Sequence, residues 1–87
     1  MSVNITFGDN LTYLRHLRGI SVQDMADMFC VHKATFRYWE RGRSSPGYET
    51  LVKLSEYFQV SVDNLLKVRI RDNAKAAIQL GYQPLDS

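Results

Sequence analysis

Apolar residues along the chain fall in short groups at helical spacing, separated by polar punctuation. Leu11, Leu14 and Leu17 recur three apart, and Gly19 follows as a natural terminator. Thr6 and Asp9 have the spacing of a capping box, with Asp in place of Glu, so a first helix is expected at about residues 7–18. Ser21 and Asp24 repeat that signal before Met25, Ala26 and Phe29, which stripe a second helix at about 22–29. After Cys30-Val31-His32 comes a third, at about 33–41, with Phe36 and Trp39 on one face and Gly42 at its end. Ser44-Ser45-Pro46-Gly47 is a clear break. A fourth helix, at about 48–58, carries Leu51, Leu54 and Phe58 on one side, and Ser61 caps a fifth, at about 62–67, with Leu65 and Leu66 apolar. Strand-like alternation is confined to Val68–Arg71. Asp72 to Leu80 has the end signals of a sixth helix, though its apolar side of Ala74, Ala77 and Ile78 is thin. The expected fold is all-α: a compact five-helix domain over residues 6–67 and a short C-terminal extension over 68–87, helical or dimerising.

Eighty-seven residues make one domain. With 45% hydrophobic and 23% charged residues, the composition excludes a disordered chain. No stretch approaches the ~18 apolar residues of a membrane span. Met1 to Phe7 has neither a basic region nor an apolar core, so no secretory signal is expected. Cys30 is the single cysteine and fits a reducing, cytoplasmic compartment. The net charge of +2 is unevenly spread. Lys33, Arg37, Arg41 and Arg43 face Glu40 alone within residues 32–43. Lys67, Arg69, Arg71 and Lys75 face Asp72 alone within 67–75. Two basic patches on an acidic body give an anionic partner a preferred face, although charge runs by themselves are most often solvated surface.

Two short helices joined by about three residues, the second of them basic, form a helix-turn-helix arrangement. Leu14-Arg15-His16-Leu17-Arg18-Gly19-Ile20-Ser21, Gln23-Asp24-Met25-Ala26, then Val31, Thr35, Phe36 and Tyr38-Trp39-Glu40-Arg41-Gly42-Arg43 follow in order. Pro46, Glu49-Thr50-Leu51, Lys53-Leu54 and Phe58 through Leu66 complete the series. In this the chain resembles the XRE family, the phage repressor and Cro-like helix-turn-helix proteins. The resemblance implies a five-helix domain that binds duplex DNA, usually as a two-fold dimer, and regulates transcription. It also implies a structural ion pair between Arg15 and Glu40, across the first and third helices. Three positions depart from the family pattern. Cys30 stands at the turn glycine, where left-handed backbone costs a non-glycine residue ~1–2 kcal/mol. Val22 stands where Gln often opens the second helix, and His32 where Ser or Thr often caps the third.

An α-helix fits the major groove, with its N-terminal part toward the base edges. On the third helix Lys33, Ala34, Arg37 and Tyr38 share one side, while Val31, Phe36 and Trp39 share the other. Arg37 suits a bidentate guanine contact, Lys33 a less rigid one, and Ala34 or Tyr38 a thymine methyl. Phosphate contacts are expected from the amides of Val22 and Gln23 and from His32, Thr35, Arg41 and Arg43. His16, Cys30 and His32 lack the spacing of a metal site, and no cofactor is expected. With no catalytic set and no room for a substrate cavity of ~300 Å³, an enzyme is not expected. The functional expectation is a transcriptional regulator, a repressor, acting as a homodimer on a pseudo-palindromic operator. The dimer surface is expected at Tyr57, Val62, Leu66, Val68 and Ile70, with Ala74 and Ile78 added if the extension is helical. The second basic patch is left open between a DNA-grasping arm, a solvated face and part of that interface. Two alternatives stand beside this reading: an antitoxin that binds a toxin and represses their shared promoter, and a protein-interaction module, with a regulatory protein as partner, that keeps the fold without DNA binding.

Overall fold

The computed structural model describes residues 3–72. They form five helices: α1 (Val3–Leu17), α2 (Val22–Met28), α3 (Lys33–Glu40), α4 (Tyr48–Phe58) and α5 (Val62–Lys67), with no strand among the described residues. α1 is the central beam, packed against both α3 and α5, while α2 lies on α3 and α4 on α5. Ser21 Oγ accepts from the Asp24 amide at 3.0 Å and Ser61 Oγ from the Asn64 amide at 3.1 Å, so two short helices have side-chain caps. One core joins all five through Phe7, Leu11, Leu14, Met25, Phe36, Phe58 and Leu65, each fully buried. Each such side chain contributes ~1.5–3 kcal/mol of transfer free energy.

Four helices end in the same way. Gly19, Cys30, Gly42 and Gln59 all take left-handed φ, between 58° and 74°. In each case the next amide reaches back to the last turn: Ile20 to the Arg15 carbonyl, Val31 to Ala26, Arg43 to Tyr38 and Val60 to Ser55. This is the Schellman closure, which satisfies carbonyls that the helix leaves free. Two of the four positions are occupied without glycine, and the second, Gln59, gives no sequence signal.

α1 starts at Val3, earlier than the Thr6–Asp9 pattern predicts. Thr6 is 8% exposed inside the helix and is not a cap. The early turns have a tertiary reason. A Cβ on Gly8 would lie 2.5 Å from the Glu40 carbonyl oxygen and 2.6 Å from that of Trp39, so only glycine lets α1 cross the end of α3 this closely. Gly42 in turn comes within 3.1 Å of Ile5 by the same measure. Leu17, placed by periodicity on the apolar stripe, is 51% exposed because α1 has passed the edge of the core there.

Val68–Arg71 is not a strand but a turn-like segment drawn onto α1 by Asn10. Asn10 is 2% exposed. Its Nδ2 donates to the carbonyls of Leu65 at 2.8 Å and Val68 at 2.7 Å, and its Oδ1 accepts from the Ile70 amide at 3.0 Å. One side chain thereby closes the end of α5 and holds Ile70, which is fully buried in the core. Expected on a dimer surface, Ile70 instead has no exposed area to offer a second copy. The expected sixth helix, with Ala74 and Ile78, lies outside the described residues.

Candidate nucleic-acid interface

α2 and α3 present the two short helices of the motif. Met25 and Ala26 are buried from α2, and Phe36 and Trp39 from α3, the last two with ring centroids 5.6 Å apart. The turn between the helices keeps the left-handed geometry despite its residue: Cys30 has φ 58° and an exposed side chain. Its amide bonds the Asp27 carbonyl at 3.2 Å, so the turn is intact and the conformational cost is carried by cysteine.

The outward side of α3 consists of Lys33, Ala34, Arg37 and Tyr38, all exposed. Thr35 is half-buried. His32 occupies the N-cap position, is exposed, and makes no side-chain cap bond, so the first amides of α3 are not closed from that position. Arg41 and Arg43 follow the last turn and are exposed. Val22 is half-buried at the start of α2. Gln23 beside it is exposed, and its Nε2 donates to Asp27 Oδ1 at 2.9 Å, one turn along α2.

Glu40 is the only acidic residue within 32–43, and it is turned inward. Arg15 Nε meets Glu40 Oε2 at 2.7 Å, and Nη2 meets Oε1 at 3.3 Å. Arg15 Nη1 also donates to the Ile20 carbonyl at 2.9 Å. Only 13% of the Arg15 side chain and 10% of the Glu40 side chain are exposed. The pair ties α1 to α3 and removes the one negative charge from the basic side of α3, leaving four cations there without a local acid.

The second basic patch has a different character. Lys67 pairs with Asp63 and Arg69 with Asp72, each at 3.3 Å and exposed. Two of its described cations are therefore paired while Arg71 is exposed, and α1 packs against both α5 and α3. Lys75 lies outside the described residues. Of the expected interface residues, Tyr57 is half-buried, its ring 5.0 Å from Phe58 and 6.1 Å from Phe29 between centroids, with the Arg18 guanidinium 4.8 Å from its own centroid. Val62 is half-buried, and Leu66 and Val68 are half-buried against the core.

The surface does carry depressions larger than the sequence suggests, of about 370 Å³ along Tyr48, Val52 and Glu56 and about 320 Å³ along Val3, Leu66 and Lys67. Both are open grooves on the surface. Among the described residues no group of His, Cys, Asp or Glu is disposed to hold a metal ion, and no helix is long and apolar enough to cross a membrane.

Sequence reasoning missed Asn10. It stands between Phe7 and Leu14 on the buried side of α1, and a polar residue in that register was the one signal that pointed to it.

A family model described as helix-turn-helix matches residues 11–65, from the middle of α1 into α5. The chain belongs to the XRE family of helix-turn-helix proteins. That family consists of non-enzymatic DNA-binding transcriptional regulators. The chain is 34% identical over 61 residues to the HTH-type transcriptional regulator YqaE of Bacillus subtilis, covering 70% of this chain and 53% of the relative. It is 39% identical over 61 residues to YonR, a regulator derived from the SPbeta prophage of the same organism, covering 70% and 56%. To the B. subtilis regulator AnsR it is 34% identical over 73 residues, covering 83% and 63%. The chain thus spans little more than half the length of the curated relatives it matches. No solved structure matches it at comparable stringency.

Proposed function

We propose that this protein binds duplex DNA sequence-specifically, laying α3 in the major groove, and that it represses transcription as a two-fold homodimer in the cytoplasm. The observation that carries the reading is the exposed side of α3: Lys33, Ala34, Arg37 and Tyr38 in a row, with the nearby acid Glu40 withdrawn to Arg15. Arg37, at mid-helix, has the reach for guanine O6 and N7, a contact worth ~1–3 kcal/mol of discrimination. Lys33 supplies a more mobile donor, and Ala34 and Tyr38 supply apolar contact for a thymine methyl. Arg41 and Arg43 sit beyond the last turn, where side chains reach backbone phosphate rather than base edges. On the other flank Ser21 takes the Asp24 amide, which leaves the amides of Val22 and Gln23 as donors for a phosphate oxygen. Thr35 and His32 add polar contacts at the start of α3.

A single short helix reads too few base pairs to find one site in a genome, and a two-fold dimer on a pseudo-palindromic operator doubles the reading. Leu66 and Val68, half-buried around the end of α5, and Val62, half-buried at its start, are the residues assigned to that contact, with Tyr57 beside them. Repression needs only that the bound dimer occupy DNA a polymerase requires.

Selection from random duplexes followed by gel shift tests this reading. The expected product is one pseudo-palindromic site bound far more tightly than bulk DNA. Failure to shift any duplex at low salt would overturn it, and would favour the interaction-module reading of the same fold.

A further inference from the structure

α1 connects two surfaces on its two sides. Toward α3 it is locked by the Gly8 crossing and the Arg15–Glu40 pair. Toward α5 the polar tie is Asn10, two residues after Gly8. Asn10 spends both amide hydrogens on the carbonyls of Leu65 and Val68 and its oxygen on the Ile70 amide. Those three bonds bracket Leu66 and carry Val68, the residues assigned to the two-fold contact. α1 packs against both α5 and α3 and so links the two. Beside the apolar contacts of α1 with α5, the orientation of the assembly surface relative to the recognition helix is therefore tied by a fully engaged, buried side chain.

We propose that Asn10 is a positioning residue for DNA reading: it fixes the surface at Leu66–Val68 relative to α3, and so sets the half-site separation that the dimer accepts. The inference rests on the two-fold reading above. Its physical basis is the steepness of duplex geometry. One added base pair moves a half-site by about 3.4 Å and turns it by about 35°, so a rigid dimer cannot follow. A dimer whose interface segment swings on α1 can. With the carboxamide shortened or removed, the carbonyls of Leu65 and Val68 lose their donors and the Ile70 amide its acceptor, which frees the segment locally. α3 and its contacts are untouched by the change.

The test uses the full chain and the palindromic duplex recovered by selection, together with duplexes carrying one or two base pairs added or removed at the centre, and an isolated half-site. The wild-type chain binds the optimum spacing at least about tenfold more tightly than its neighbours, the penalty expected when one half-site is misaligned. Asn10→Ser and Asn10→Ala flatten that preference to within about threefold while half-site affinity stays nearly constant, as a flexible connection allows. Amide exchange at Ile70 accelerates in both variants. Leu54→Ala, which destabilises the core without touching Asn10, keeps the wild-type spacing profile and separates positioning from stability. Should Asn10→Ala fail to fold, Asn10→Ser carries the comparison. A variant with faster exchange at Ile70 and an unchanged, sharp spacing optimum overturns the proposal, as does exchange at Ile70 that the substitutions leave unaltered. A wild-type chain that binds its site with no spacing preference overturns the two-fold reading and this proposal together.

Discussion

Glu40→Ala removes the acceptor of the Arg15 guanidinium at the crossing of α1 and α3. The pair is a fork in which Nε and Nη2 meet the two carboxylate oxygens at 2.7 and 3.3 Å. An exposed pair of this kind would be worth under about 1 kcal/mol. Here the side chains are only 13% and 10% exposed, which places the pair near the buried limit, where loss of one partner costs ~3–5 kcal/mol. Arg15 keeps its bond to the Ile20 carbonyl, so the lower end applies, about 3 kcal/mol. At ~4–8 °C per kcal/mol for a domain of this size, the melting temperature should fall by about 12–24 °C. Thermal and urea unfolding followed by circular dichroism read this, with the urea midpoint moving and the slope unchanged. Replacing both partners with apolar residues, Arg15→Met with Glu40→Leu, should recover most of the loss, because no charge is then left buried without its partner. A melting temperature for Glu40→Ala within a degree or two of wild type would refute the reasoning and make the pair energetically idle.

Other substitutions probe the backbone and the assembly. Gly8→Ala drives a methyl to within 2.5 Å of the Glu40 carbonyl oxygen and must push α1 off α3; a loss of ~1–3 kcal/mol by urea titration is expected. Cys30→Gly relieves the left-handed strain of ~1–2 kcal/mol, less the entropy that glycine adds to the unfolded chain, and should raise stability by about 0.5–1 kcal/mol in the same titration. Truncation after Lys67 deletes the buried Ile70 and, with Val68 and Ile70, two of the three backbone partners of Asn10, so it should unfold or melt far below a chain ending at Asp72, which keeps them.

The fold class was legible because its signals are local. Leu51, Leu54 and Phe58 mark the buried side of α4, Phe36 and Trp39 that of α3, and Ser21 and Ser61 announce two helix starts with their own hydroxyls. Where the structure departs from the sequence reading, a contact distant in sequence outweighs a local cue. Thr6 and Asp9 resemble a cap, yet α1 runs through them because its first turns rest on Gly42 and the end of α3. Ile70 reads as an exposed apolar residue in a tail until Asn10, sixty residues earlier, is seen to hold its amide. Gln59 looks like an ordinary polar residue, and only the Val60 to Ser55 hydrogen bond reveals its left-handed turn. The candidate site was legible as a pattern, since four outward positions on one helix follow from spacing alone. The withdrawal of Glu40 into the Arg15 fork was not readable from spacing, because it depends on how α1 crosses α3; the family resemblance suggested it.

Affinity of wild type, Arg37→Ala and Arg43→Ala for the selected duplex and its single-base-pair variants, across a salt series, tests the central claim most directly. On this account Arg37→Ala loses ~1–3 kcal/mol on the selected site and becomes indifferent to one base pair in each half-site. Arg43→Ala weakens every duplex alike and lowers the salt slope by about one for each phosphate it no longer neutralises. If Arg37→Ala binds all sequences as wild type does, or if the loss of base preference follows Arg43 instead, α3 is not the element that reads the DNA and the proposed function fails.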